Sequence, residues 1–251
     1  MTPDPRAAAP YRLGLVVPSS NVTMETELPE LFRRREAVAP ERFTFHSARA
    51  RLTEVTAAAL AAMNADGARC AAELADAGCD ALAYACLVAV MAEGPGAHRR
   101  AERALADAAG DGAPVVTSAG ALVDGARLLG VRRVAMIAPY APALTARVVD
   151  YLAADGVEVV AVHSRGVTDN RAVGRLDPRD LLDLAAGLDL TRAEALVLSA
   201  CVQMPSLPVV EEAQQRTGLP VLTAATATAR ALLDALRLAP FVPGGGALLS
   251  P

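Results

Sequence analysis

Two cysteines stand at corresponding places in the chain and are its strongest candidates for chemistry. Cys86 closes the run Asp80-Ala-Leu-Ala-Tyr-Ala-Cys86, and Cys201 closes Glu194-Ala-Leu-Val-Leu-Ser-Ala-Cys201. A cysteine taken alone is most simply a small buried hydrophobe. That reading suits Cys70, on an amphipathic helical pattern, and Cys79, at the start of a strand. Cys86 and Cys201 differ because each follows a strand and opens a loop, the position from which α/β folds present active-site groups. A thiolate is both nucleophile and proton carrier. Its ordinary pKa is about 8.5, so the site has to favour it, for example through helix N-termini and backbone N–H groups. No C-x-x-C or H-x-x-x-H spacing occurs and the three His are scattered, so metal ligation is a poor alternative.

Other polar residues fall at further strand ends. Ser19, Ser20, Asn21 and Thr23 follow the strand that ends in Pro18, just before a helix opening Met24-Glu-Thr-Glu27. Ser20, Asn21 and Thr23 can cap that helix, with Glu25 or Glu27 assisting, while its free N–H groups and Asn21 face an anion. In the second half Tyr140 holds the matching place, either donating to a carboxylate or filling the strand end. The polar loop from Gly166 to Pro178 offers Asn170 first, with Arg171 and Arg175 as surface or structural residues. His163, beside it, either polarises a ligand or is a hydrogen-bonded structural histidine.

The elements that must position these groups are legible as alternation. Short β-branched runs near 12–17, 43–49, 80–85, 114–117, 132–138, 157–163, 194–200 and 219–223 alternate with alanine-rich helical stretches, the pattern of βα units around a parallel sheet. Thr53 to Ala77 reads as one helix stopped by Gly78. The eight strands form two sets of four. Arg12-Leu-Gly-Leu-Val-Val-Pro18 matches Arg133-Val-Ala-Met-Ile-Ala-Pro139, the two cysteine strands match each other, and Pro114-Val-Val-Thr117 matches Pro220-Val-Leu-Thr223. Three matches in order indicate a duplicated unit. The expected fold is α/β, with two pseudo-symmetric lobes, each a four-stranded mainly parallel sheet flanked by helices, and an active site in the cleft between them. Residues 10–120 plus 224–251 would form one lobe and 121–223 the other.

Composition narrows the chemistry. The 251 residues include 24 Arg and no Lys, which excludes a lysine Schiff base, lysine-anchored pyridoxal phosphate and a P-loop lysine. A formal net charge of −4 with four Tyr, four Phe and no Trp argues against a nucleic-acid surface. The cluster Arg33-Arg34-Arg35 reads as the solvated end of a helix. The longest uncharged apolar run, Ala81 to Ala92, is too short to span a bilayer as a helix, and Met1 to Arg6 shows no apolar signal core. A cytoplasmic protein with reduced cysteines is expected.

Four segments carry a family resemblance: Val17-Pro-Ser-Ser-Asn-Val-Thr-Met-Glu-Thr-Glu27, Tyr84-Ala-Cys-Leu-Val88, Asp169-Asn-Arg-Ala-Val-Gly-Arg-Leu-Asp177 and Ser199-Ala-Cys-Val-Gln-Met-Pro205. In these the chain resembles the maleate cis–trans isomerases of the aspartate/glutamate racemase superfamily, with Val22 where that family usually has Thr. The resemblance implies Cys86 as nucleophile, Cys201 as acid/base partner, and Asn21, Tyr140 and Asn170 as holders of the two carboxylates. Ser19, Ser20, Leu87, Val88, Val202 and Gln203 would complete the surroundings of a small dicarboxylate. It also implies no cofactor and a homodimer. Rival readings are a two-cysteine racemase of aspartate, glutamate or a hydantoin, an arylmalonate-type decarboxylase needing one cysteine, and a non-catalytic dicarboxylate-binding module.

Overall fold

A computed structural model describes residues 9–110 and 112–250. The residues from Met1 to Arg6 lie outside that range. The first half supplies β1 (Tyr11–Pro18), α1 (Met24–Glu36), β2 (Phe43–Ala50), α2 (Ala57–Asp76), β3 (Ala81–Tyr84), α3 (Leu87–Met91), α4 (Ala97–Ala109) and β4 (Val115–Thr117). The crossing helix α5 (Ser118–Leu128) leads to β5 (Arg133–Ala138), α6 (Pro142–Ala154), β6 (Glu158–Ser164), α7 (Asn170–Val173), α8 (Asp180–Ala186), β7 (Ala195–Ser199), α9 (Val210–Thr217), β8 (Val221–Thr223) and α10 (Ala224–Ala235).

The strands form two four-stranded sheets, ordered β2-β1-β3-β4 and β6-β5-β7-β8, and every pairing within them is parallel. Parallel sheets bury both faces, which is why β3 and β7 read as unbroken apolar runs and are buried throughout. The strands β2 and β6 at the outer edges are largely half-buried, and β2 mixes polar with apolar residues along its length. At β1 the core leaves no room for a side chain, since a Cβ on Gly14 would stand 2.5 Å from Leu82 Cδ2.

The duplication extends to individual hydrogen bonds. Asp80 Oδ2 accepts the N–H of Arg12 at 2.8 Å, and Glu194 Oε2 accepts those of Arg132 and Arg133 at 2.7 and 3.0 Å. Thr117 and Thr223 each end the last strand of a sheet and cap the following helix, taking the N–H of Gly120 and Thr226 at 3.0 and 3.1 Å. The two capped helices meet, with Thr228 Oγ1 bonded to Ser118 Oγ at 2.9 Å, and α10 also packs on α1, β3 and β4.

Two local expectations are corrected. The helix read from Thr53 begins at Ala57, because Thr56 caps it and Glu54 is drawn into an antiparallel bridge with Asp169. It ends as expected, with Gly78 at φ +65°. The Arg33–Arg35 cluster is not uniformly solvated. Arg33 pairs with Glu30 in solvent, but Arg35 is 3% exposed, bonded to the carbonyls of Ala239 and Phe241 and paired with Glu41. Helical phase turns the third arginine inward, onto the C-terminal segment.

Candidate active site

In each sheet the chain leaves to opposite sides from the two central strands, so the crevices that receive ligands open beyond β1/β3 and β5/β7. The loops emerging there carry Asn21, Cys86, Tyr140 and Cys201, and all four side chains are buried.

Cys86 is the N-cap of α3 without a side-chain cap hydrogen bond, and the N–H of Ala89 in the first turn acts to lower the pKa of its thiol. Burial, with the proximity of Cys201 adding to it, pushes that thiol up to about 12. Cys201 sits in a tight turn after β7. Its Sγ accepts the N–H of Gln203 at 3.3 Å, and the N–H of Met204 and the Tyr140 phenol also act to lower the pKa of its thiol. Burial still raises the Cys201 thiol, against the lowering effect of those three donors. Ser199 Oγ ties the turn to the carbonyls of Cys201 and Met204 at 3.0 and 3.1 Å. Both thiols are therefore protonated at neutral pH. The Tyr140 hydroxyl lies 3.2 Å from the carbonyl oxygen of Ala200 and is itself held far above the usual phenol range by burial, so it is a proton donor at every working pH.

Asn21 caps α1 as expected, its Oδ1 accepting the N–H of Met24 at 3.1 Å. Its Nδ2 donates across the lobes to the carbonyl of Val202 at 3.1 Å, which leaves one amide hydrogen for a ligand. Asn170 donates to Ser20 Oγ at 2.7 Å and also keeps one hydrogen, while Ser20 Oγ donates to the carbonyl of Leu52 at 2.5 Å. Leu87 and Val88 follow Cys86 and Val202 follows Cys201, and all three are nearly or fully buried.

Two expected ligand contacts are otherwise engaged. The Ser19 hydroxyl is turned onto the backbone of Leu52, with Leu52 N donating to it at 3.0 Å. Gln203 has both amide hydrogens and both oxygen lone pairs committed to backbone groups, so its side chain braces loops rather than facing a ligand. His163 is half-buried on the edge strand β6. Thr23, expected as a capping side chain, instead donates to the carbonyl of Gln203 at 2.8 Å.

Residues that sequence reasoning did not single out complete the frame. Arg49 donates to the carbonyls of Ser19 and Asn21 at 2.9 and 3.1 Å and pairs with Glu25. Glu27, expected to assist the start of α1, crosses the lobes and accepts the N–H groups of Ser206 and Leu207 at 2.6 and 2.7 Å. No spacing rule marks such contacts, since Glu27 and Ser206 are 179 residues apart. Above Ser20 the crevice opens into a cavity of about 640 Å³, lined by Thr53 to Thr56 from one lobe and Thr168, Asp169 and Arg171 from the other.

The family model described as arylmalonate decarboxylase (Amdase) matches residues 13–249. The chain is 50% identical to the maleate isomerase of Geobacillus stearothermophilus over 244 residues, covering 96% of this chain and 97% of that one. The chain belongs to the maleate isomerases of the Amdase family. Among solved maleate isomerases, a cysteine-to-alanine variant of Iso from Pseudomonas putida with maleate superposes with a TM-score of 0.95 at 49% identity, covering 96% of this chain and 98% of that one. A cysteine-to-serine variant of the Nocardia farcinica enzyme, carrying a covalently bound succinylcysteine intermediate, superposes with a TM-score of 0.92 at 48% identity and the same coverage. The expected family and two-sheet fold are thus borne out.

Proposed function

We propose that this protein isomerises maleate to fumarate at the two thiols, with Cys86 as nucleophile, Cys201 as acid/base partner, and Asn21, Asn170 and Tyr140 holding the carboxylates. The observation that carries this reading is the pairing of two buried thiols on matched strand ends, in a chain half-identical to maleate isomerases over nearly its whole length.

In the reaction, Cys86 first gives its thiol proton to water; the thiolate Sγ then bonds to one alkene carbon and the π pair shifts to the adjacent carbon and its carboxylate. The remaining N–H of Asn21 and of Asn170, and the Tyr140 hydroxyl once turned from the Ala200 carbonyl, are the neutral donors for that charge. Cys201 delivers a proton to the adjacent carbon, so an S–H has in sum added across the double bond and a succinyl thioether stands on Cys86. The former double bond is now single and rotates. Cys201 then removes a proton, the S–C bond breaks and the trans alkene leaves. No lysine is needed, because neutral donors meet the dianion without fixing the charge of the thiols. These steps use no cofactor. The arrangement favours isomerisation over decarboxylation by one thiol, because both cysteines are buried on matched strand ends.

The lobes are assigned as 10–120 plus 224–251 and 121–223, a reading supported by the packing of α10 on α1. The protein is read as a cytoplasmic homodimer without nucleic-acid or membrane partners. Among the described residues no helix is long and apolar enough to cross a membrane. Light scattering of the purified protein checks the dimer.

Proton NMR of the protein with maleate follows loss of the cis alkene signal and growth of fumarate. Cys86→Ala is expected to lower kcat by about a thousandfold or more. Substantial turnover in that variant would remove Cys86 from its role. Mass spectrometry of Cys201→Ala with maleate is expected to show one maleate added on Cys86, and an adduct on Cys70 instead would indicate adventitious alkylation.

A further inference from the structure

Gln203 stands two residues after Cys201 and is 2% exposed. Its side-chain oxygen accepts the N–H groups of Val22 and Thr23 at 3.0 and 3.4 Å, and its nitrogen donates to the carbonyls of Ser20 and Asn170 at 3.0 and 3.1 Å. Its own N–H points at Cys201 Sγ, 3.3 Å away, and its carbonyl accepts the Thr23 hydroxyl at 2.8 Å. One residue thus joins three loops: the one after β1, the one after β6 and the turn that carries the second thiol. These are the loops that present Asn21, Asn170 and Cys201.

The surroundings are shaped around that amide. A Cβ on Gly174, at the end of α7, would lie 2.5 Å from Gln203 Nε2 and 3.0 Å from Cδ. Gly174 has an ordinary helical conformation, with φ −69°. Its lack of a side chain therefore serves space and not backbone freedom. A planar carboxamide is also the group the site demands, since it offers two hydrogens and two lone pairs in one plane. A carboxylate would set two oxygens against the carbonyls of Ser20 and Asn170. A methionine would strand the N–H groups of Val22 and Thr23.

We propose that Gln203 is a positioning residue for the isomerisation, holding the Cys201 thiol and its N–H donor in register with the groups that grip the carboxylates. The proposal rests on the reading of Cys201 as acid/base partner. Its effect falls on the proton-transfer step: when the clamp slackens, the distance between Cys201 Sγ and the substrate carbon loosens, and so does the donor that steadies the Cys201 thiolate. None of the hydrogen bonds of Gln203 reaches Cys86 at the start of α3, which is left unaffected.

Two variants test this from opposite sides. Gln203→Glu keeps the acceptor toward Val22 and Thr23 but reverses the polarity toward Ser20 and Asn170. Gly174→Ala leaves Gln203 in place and pushes its amide. Both are compared with wild type for kcat and KM on maleate, for far-UV circular dichroism, and for the pH dependence of iodoacetamide labelling resolved to Cys86 and Cys201 by peptide mass spectrometry. The expected result is a fall in kcat of about a hundredfold in Gln203→Glu, the scale of a misplacement of about 1 Å, with a smaller change in KM. Cys201 labelling moves to higher pH in both variants while Cys86 labelling does not move. In Gln203→Glu the ratio to wild type recovers at acid pH, where a protonated carboxyl again donates one hydrogen. Wild-type kcat and an unmoved Cys201 profile in folded Gln203→Glu would overturn the proposal. So would activity lost only in proportion to the unfolded fraction. If Gln203→Glu does not fold, the Cys201 profile and kcat of Gly174→Ala decide by the same criteria. Failure of the isomerase reading is seen separately, as absence of fumarate with wild type or full activity in Cys201→Ala.

Discussion

At the residue scale the two thiols are alike in burial and unlike in support. Cys86 stands at the start of α3 without a side-chain cap hydrogen bond, whereas Cys201 Sγ accepts the N–H of Gln203 in its own turn. Because desolvation penalises the thiolate, both thiols are neutral, and the reactive form arises only as a small fraction. For Cys86, whose thiol stands at about 12, the thiolate fraction rises tenfold with each pH unit until that value is approached. Labelling of Cys86 in the ligand-free protein is therefore expected to climb by about tenfold per unit between pH 8 and 11. A plateau near pH 8 to 9 in a rate-against-pH plot would contradict the burial argument.

At the element scale, the turn that carries Cys201 is held in part by α1 of the other sheet. Glu27 is buried on that helix and is the acceptor for two amides at the 3₁₀ turn Leu207–Val209, with Arg34 lowering its pKa only weakly. Burial is the largest influence and raises the carboxyl above its usual range. A raised folded-state pKa means that stability is fully present below the unfolded value of about 4.3 and declines as pH rises through the folded one. Glu27→Gln keeps an oxygen for both amides and removes the buried charge. It is expected to match or exceed wild-type stability at pH 7 and to flatten that decline. Glu27→Ala strands the N–H groups of Ser206 and Leu207 and is expected to cost about 3 kcal/mol. Urea denaturation at pH 5 and pH 8 separates the two.

At the scale of the whole molecule the lobes interlock on more than one side. Besides the Gln203 and Glu27 clamps, His98 on α4 is bonded to Tyr151 on α6, and Asp155 joins Arg99 of α4 and Arg127 of α5. With α10 packed back on α1, neither sheet has a complete set of covering helices from one half of the chain. Unfolding is expected to be one transition. Pulsed labelling of Cys70, near the first sheet, and Cys201, at the second, should give the same midpoint as circular dichroism; separate midpoints would show independent lobes. His98 adds a pH dependence. Burial lowers its pKa, so its contribution is complete above the unfolded value of about 6.5 and is lost as pH falls through the lower folded value. His98→Gln should lessen the fall of Tm below pH 6.

The order of elements, the duplication and the two cysteines were legible in the sequence because they follow from local signals: apolar runs of strand length, helix caps and matched punctuation. The strand expectations lie within two residues of the observed strands, and Cys86 and Cys201 occupy the strand ends expected of them. The duties of Gln203, Ser19, Glu27 and Arg35 were not legible. Their partners lie far off in the chain, and an amide that faces a ligand looks the same in sequence as one that braces a loop. What the sequence determined by itself was which groups reach the crevice, since strand ends place them there. Which of those groups remain unpaired was decided only by tertiary structure, because a hydrogen-bonding group is available to a ligand only after every backbone donor and acceptor around it has been satisfied.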